Sequence, residues 1–202
     1  MITQEESLKG NKTRELIITK AAELFNQHGY NGCSMSDIME ATSLKKGGIY
    51  NYFTSKDEIA VEAFNYSYNK IIERFRSRLD NDKTSFEKLN SIIDVYASFL
   101  YDPVVKGGCP IFNTAVDATD NHPSLKEHAK KGIASLQKYI EIKVMEGIDN
   151  QEFRTDCDPF TIASLVIINL EGAIIMWRVQ GTDAHMKLAV GFLKEYLEGC
   201  KK

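Results

Sequence analysis

Four cysteines are scattered through 202 residues, at Cys33, Cys109, Cys157 and Cys200. No two form a CxxC pair, and none is spaced with a histidine as a zinc clip requires. That excludes a zinc module and a disulfide framework, and it suits a reducing, cytoplasmic setting. The four histidines, His28, His122, His128 and His185, show no Glu-x-x-His spacing of the kind that builds a di-metal helix bundle. No glycine-rich loop follows a strand, so no phosphate cradle is expected. These absences leave no catalytic constellation and imply neither metal nor cofactor. No stretch alternates with period two, which argues against a β-sheet fold. The amino-terminal MITQEESLKGNKTRE is polar and mixed in charge, unlike a signal peptide. Long apolar runs are scarce as well. The most apolar stretch, Phe160 to Trp177, falls short of the roughly 20 residues a membrane span needs, and it contains Asn169 and Glu171. A buried interface helix is the better reading, with its polar pair as a register device, and no membrane partner is expected.

Excess charge of either sign is also missing. The net charge is −3 and the pI is near 5.9, so the chain is no bulk-basic nucleic-acid binder. Residues 1–56 carry seven Lys/Arg against six Asp/Glu, and the remainder carries eighteen against twenty-two. Any affinity for DNA must come from where a few cations sit, not from their number.

What the sequence does contain is helix punctuation. Ile17, Ala21, Leu24 and Phe25 share one face of a helix expected from about Thr13 to His28, with Gly29 as its stop. Ser34 precedes Asp37 by three residues, Ser55 precedes Glu58, and Thr84 precedes Glu87; all three pairs have capping-box spacing. They open helices at 34–42, 56–79 and 84–101. A short helix over 45–53 lies between the first two. Pro110, Pro123 and Pro159 suit first helical positions, where the N–H is orphaned in any case. They start a short helix reaching Asp120 and longer ones over 124–147 and 160–179; a last helix covers 183–199. The fold class is all-α, with about nine helices. No repeat or low-complexity linker interrupts it.

Within this series, Ser34 to Glu58 has helix-turn-helix organisation. Two short helices flank Thr42-Ser43-Leu44, and the second would enter a DNA major groove. Lys45 and Lys46 open that second helix. Gly47 and Gly48 follow, although each costs roughly 1 kcal/mol relative to alanine in a helix. Two such residues imply that something outside the helix must come close. Phe53 is expected in the core, against the first helix.

The run from Ile38 through Leu44-Lys45-Lys46-Gly47-Gly48-Ile49-Tyr50-Asn51-Tyr52-Phe53, with Ser55-Lys56-Asp57-Glu58 after it, resembles the DNA-binding domain of TetR/AcrR repressors. Ala21-Ala22-Glu23-Leu24-Phe25 and Gly29-Tyr30 extend the resemblance, which covers residues 11 to about 60. Ser43 departs from the family's usual turn glycine. Gly48 departs from a serine or threonine that often contacts DNA. The resemblance implies a three-helix DNA-binding head over 11–56 (the family's domain reaching to about 71) and an effector-binding and dimerisation domain over 57–202. It also implies a homodimeric, cytoplasmic repressor released from a palindromic double-stranded operator by a small molecule. The implied DNA contacts are Ser34, Ser36, Lys45, Lys46, Gly47, Gly48, Tyr50, Asn51, Tyr52 and Lys56. An apolar or aromatic effector is expected to touch Tyr66, Tyr96, Phe99, Phe112 and Asn113. Cys109 follows two glycines, precedes Pro110 at a helix start and has Lys106 nearby, which makes it a candidate redox-sensing thiol; a structural cysteine is the simpler account.

A second reading is a helical small-molecule-binding or enzymatic protein that keeps a non-functional head. The exposure of Lys45, Lys46, Tyr50 and Lys56 discriminates between the two.

Overall fold

The computed structural model describes residues 4–118 and 122–202. Among the described residues there are nine α-helices in sequence. They are α1 (Gln4–Gly32), α2 (Met35–Thr42), α3 (Lys46–Tyr50), α4 (Lys56–Leu79), α5 (Ser85–Ser98), α6 (Pro110–Asp117), α7 (Pro123–Asp149), α8 (Pro159–Gln180) and α9 (Ala184–Gly199). The fold is all-α. Helix α1 begins at Gln4, well before Thr13, because a polar helical turn needs no apolar stripe to announce it. It breaks where expected: Gly29 has φ 74° and ψ 169°, and one further turn runs on to Gly32. Helix α3 ends at Tyr50, earlier than Phe53, and α5 ends at Ser98, with a turn carrying the chain on to Tyr101. Helix α6 is described to Asp117; Asp120 lies outside the described residues.

The chain divides into two compact units. One comprises Met1–Lys70 with Val105–Lys130, so it takes in more than residues 11–56: the first turns of α4, all of α6 and the start of α7 belong to it. Ile17, Ala21, Ile38, Ile49 and Phe53 are buried here. Each of the isoleucines and Phe53 contributes roughly 1.5–3 kcal/mol. A further cluster joins Ala60 and Phe64 of α4 to Ala118, Leu125 and Ala129, with Phe25 and Tyr30 packed on it.

The other unit comprises Ile71–Val104 with Lys131–Lys202. Helices α5, α8 and α9 pack on one another. Tyr96 sits between Phe75 and Phe99, with ring centroids 5.7 and 5.3 Å away. By length and apolar content α8 would pass for a membrane span, longer than the sequence implied. Its buried side, however, is this unit's own core, through Ile162, Val166, Leu170 and Ile174. Glu171 is buried within its own chain, and Asn169, half-buried, donates back to the Leu165 carbonyl at 2.8 Å.

Candidate nucleic-acid interface

Local bonding sets the first helix of the helix-turn-helix. Ser34 Oγ accepts from the Asp37 amide at 3.2 Å, and the Asp37 carboxylate accepts from the Ser34 amide at 2.6 Å, completing the capping box. Those bonds hold the Asp37 carboxyl below the usual carboxylate range. The helix then ends at Ser43, whose φ of 56° is left-handed, and its amide closes onto Glu40 and Met39. That conformation is one that glycine adopts without the cost a Cβ brings. The opening of α4 departs slightly from expectation. Ser55 Oγ accepts from the Glu58 amide at 3.1 Å, but the Glu58 carboxylate takes both the amide and the hydroxyl of Thr54 at 2.7 Å, not the Ser55 amide.

Helix α3 is divided by its own periodicity. Ile49 is fully buried, and Phe53 is buried beneath the Arg14 guanidinium, 5.1 Å from its ring centroid. Arg14 pairs with Glu62 of α4 at 3.0 Å, so one arginine ties three helical segments together. On the opposite side Lys45, Lys46, Gly47, Tyr50 and Asn51 are exposed. The Lys46 ammonium lies 5.6 Å from the Tyr50 ring centroid, one turn along the same face. Among the described residues neither lysine has a carboxylate partner. A methyl built on Gly47 would meet nothing within 4 Å, and one on Gly48 would only touch Leu44 at 3.7 Å. Nothing among the described residues requires these glycines. Ser34 and Ser36 are exposed at the start of α2. Tyr52 is half-buried, its ring beside Gly10 of α1.

Lys56 is corrected by the structure. Its ammonium does not extend from the face as a phosphate clamp. It donates to the Tyr30 carbonyl at 2.5 Å and lies 4.0 Å from that ring's centroid, because the end of α1 offers an acceptor and a π-face together.

Tyr30 is one of several linking residues that the sequence did not single out. Its hydroxyl donates to Asp57 in a short hydrogen bond, and its amide donates to Asp117 of α6 at 2.6 Å. His122 packs edge-on to the Tyr30 ring at 4.6 Å, caps α7 by accepting from the Leu125 amide, and brings Nε2 to 3.5 Å from Asp57. One turn back in α1, the Asn26 amide donates to the carbonyls of Lys106 (2.9 Å) and Gly108 (3.1 Å) and accepts from Asn113 at 2.7 Å. Gly107, at φ 113°, must be glycine for this approach: a Cβ there would lie 2.6 Å from the Asn26 carbonyl oxygen. Gly29 was the visible signal for this region; the tie from the Tyr30 amide to Asp117 spans too much sequence to read.

Of the five expected effector residues, Tyr66, Phe112 and Asn113 belong to the first unit and Tyr96 and Phe99 to the second. A cavity of about 30 Å³ lies among Phe25, Ala60, Phe64, Asn113, Asp117 and Leu125, and of the five residues only Asn113 lines it. Such a volume suits about a water molecule, not a ligand of the usual size. Tyr66 instead lines an open groove with Arg14, Glu62 and Asn69. Tyr96 and Phe99 are packed in the second unit's core, and Phe112 is half-buried on α6. Cys109 is buried too.

A capping-box helix, a tight turn and a short second helix with one free, cationic face define a helix-turn-helix DNA-binding protein. Comparison with known proteins is specific. Residues 17–63 match a family model described as "Bacterial regulatory proteins, tetR family", and residues 85–193 match one described as "Tetracyclin repressor-like, C-terminal domain". A TetR transcriptional regulator from Chloroflexus aurantiacus J-10-FL is 38% identical, with a TM-score of 0.91 covering 95% of this chain and 96% of that one. A TetR-family regulator from Cytophaga hutchinsonii is 33% identical, with a TM-score of 0.87 and 96% of both chains covered. The HTH-type transcriptional repressor DhaR of Mycobacterium sp. (strain GP1) is 22% identical over 83% of each chain. The chain belongs to the TetR family of transcriptional regulators, which are DNA-binding proteins and not enzymes.

Proposed function

We propose that this chain is a homodimeric, cytoplasmic repressor that holds a palindromic operator through α3 and releases it when a small apolar or aromatic molecule binds. The observation that carries the DNA assignment is the free face of α3: Lys45, Lys46, Gly47, Tyr50 and Asn51 are exposed, and among the described residues nothing requires the glycine or pairs the lysines with a carboxylate. Lys46 and Tyr50 bond phosphates and set register, Asn51 reaches base edges, and Gly47 lets the backbone approach. Ser34 and Ser36 flank the same surface, and Gly48 and Tyr52 complete the α3 segment. Lys56 acts indirectly, by fixing the end of α1.

Fluorescence anisotropy with a duplex from upstream of the protein's own gene tests this. Lys46→Ala should weaken binding and flatten the slope against log salt by about one, the share of a single neutralised phosphate. Tyr50→Phe should weaken binding without that change of slope. Undiminished affinity in both variants would remove α3 from the interface. The inducer half of the proposal rests on Asn113 and the apolar walls around it. Because the cavity is only about 30 Å³, the ligand-bound state must widen it, and the Asn26–Asn113 contact is the part that yields. A compact aromatic compound with one hydrogen-bonding group should lower the anisotropy of the complex. Indifference to a library of such compounds would leave the DNA assignment standing and dismiss the inducer.

A further inference from the structure

Three features outside the DNA face bear chemistry: the Tyr30–Asp57–His122 cluster, the open groove beside Tyr66, and a pair of thiols at the end of α9. We propose that Cys157 and Cys200 form a peroxide-sensitive dithiol, which closes to an intramolecular disulfide fastening the end of α9 to the α7–α8 connection.

The backbone holds the two cysteines side by side. The Cys200 carbonyl accepts from the Arg154 amide at 2.9 Å and from the Cys157 thiol at 3.6 Å. Arg154 Nη1 donates to the Gly199 carbonyl at 2.7 Å, the Lys202 amide donates to Glu152 at 3.1 Å, and Phe153 and Lys201 form an antiparallel bridge. Both cysteines line one open groove of about 320 Å³, which Arg154, Asp156 and Tyr196 share. Oxidant therefore has a route to side chains that are otherwise largely covered. Burial, and then the hydrogen bond with Cys157, push the Cys200 thiol up to about 11, while the Arg154 charge acts the other way. The Cys157 thiol thus lies against the Cys200 backbone, and both cysteines are free thiols facing one groove. Among the described residues no three His, Cys, Asp or Glu side chains are grouped to hold a metal ion, so the pair lacks the further ligands a zinc site needs.

The chemistry balances with hydrogen peroxide as oxidant. One sulfur, as its thiolate, attacks a peroxide oxygen; an S–O bond forms, the O–O bond breaks, and one water leaves. The second sulfur then attacks the sulfenic sulfur; the S–S bond forms, the S–O bond breaks, and a second water leaves. Two thiols lose two electrons, and the peroxide is reduced to two waters. Transient disulfides of this kind are the usual form in reducing compartments.

Peptide mapping of the reduced full chain tests the proposal, after brief exposure to a small excess of hydrogen peroxide and a maleimide quench. Two of the four thiols should disappear, the mass should fall by two hydrogens, and the Cys157 and Cys200 peptides should be linked until dithiothreitol separates them. The oxidised form should melt several degrees higher, since the link closes a long loop. Cys157→Ser and Cys200→Ser should each abolish the link, with circular dichroism reporting their folding; the wild-type map decides the matter even where a variant unfolds. Retention of four thiols, sulfinic acid at either cysteine, or a link to Cys33, Cys109 or a second chain would overturn the proposal.

Discussion

Tyr30 joins three helices through three different parts of one residue. The amide holds Asp117 of α6, the carbonyl takes the Lys56 ammonium of α4, and the hydroxyl donates to Asp57. This is why a lysine that resembles a phosphate contact in sequence is turned inward in the structure. Burial first, then the hydrogen bond to Asp57 and the charge of that carboxylate, push the phenol up to about 12 from its ordinary 10. Between those values the unfolded chain has released the proton and the folded chain keeps it. Stability contributed by Tyr30 is therefore whole below pH 10 and is lost as pH rises towards 12. Wild-type protein should lose melting temperature across that interval more steeply than Tyr30→Phe, which has no phenol to titrate. Lysine titration is common to both proteins and cancels in the comparison. Parallel melting curves would mean that the hydroxyl does not hold Asp57 in solution.

At the scale of elements, what the sequence announced was local. Ser34 with Asp37 and Thr84 with Glu87 form the boxes their spacing predicts, because both partners lie within one helical turn. Ser55 with Glu58 forms half of one, since Thr54 offers the carboxylate a nearer amide and hydroxyl. Gly29 stops its helix as expected, and Ile49, Phe53 and the exposed lysines of α3 sort themselves by helical period. The Asn26–Asn113 and Tyr30–Asp117 ties span long separations and leave no periodic trace, so nothing local in the sequence pointed to them. Ser43 shows how a departure from family pattern becomes measurable. At φ 56° a residue with a Cβ is strained by roughly 1 kcal/mol or more, of which glycine's larger unfolded entropy returns part. Ser43→Gly should raise stability by roughly 0.5 kcal/mol, read as a higher urea midpoint at unchanged slope. A lowered midpoint would show that the Ser43 side chain contributes more than its backbone costs.

For the whole molecule, the issue is which side of α8 and α9 meets a second copy. Helix α8 is apolar on nearly every face, so its sequence period does not distinguish core from partner. Val166, Ile167, Leu170 and Ile174 of α8 are buried in their own chain, as are Leu193 and Leu197 of α9. Left exposed are Phe160, Ile168, Ile175 and Val179 on α8 and Leu188 and Phe192 on α9, with Gly172 and Gly191 open beside them. Ile168, Gly172, Ile175 and Val179 recur at helical spacing and make one stripe. An apolar stripe of that extent on a regulator whose family is typically dimeric is best covered by its two-fold copy. Ile175→Glu tests this, because Ile175 is 52% exposed and the change leaves the protomer's own core alone. Two-fold symmetry places two unpaired carboxylates in the apolar seam, at a cost of about 4 kcal/mol or more, equivalent to roughly a thousand-fold in dimer dissociation. Sedimentation should show wild-type dimer and variant monomer at micromolar concentration, with unchanged helical content. Operator affinity should fall with it, since one head alone reads only half a palindrome. A variant that remains dimeric would move the interface to another face of the chain and leave the α8 stripe unexplained.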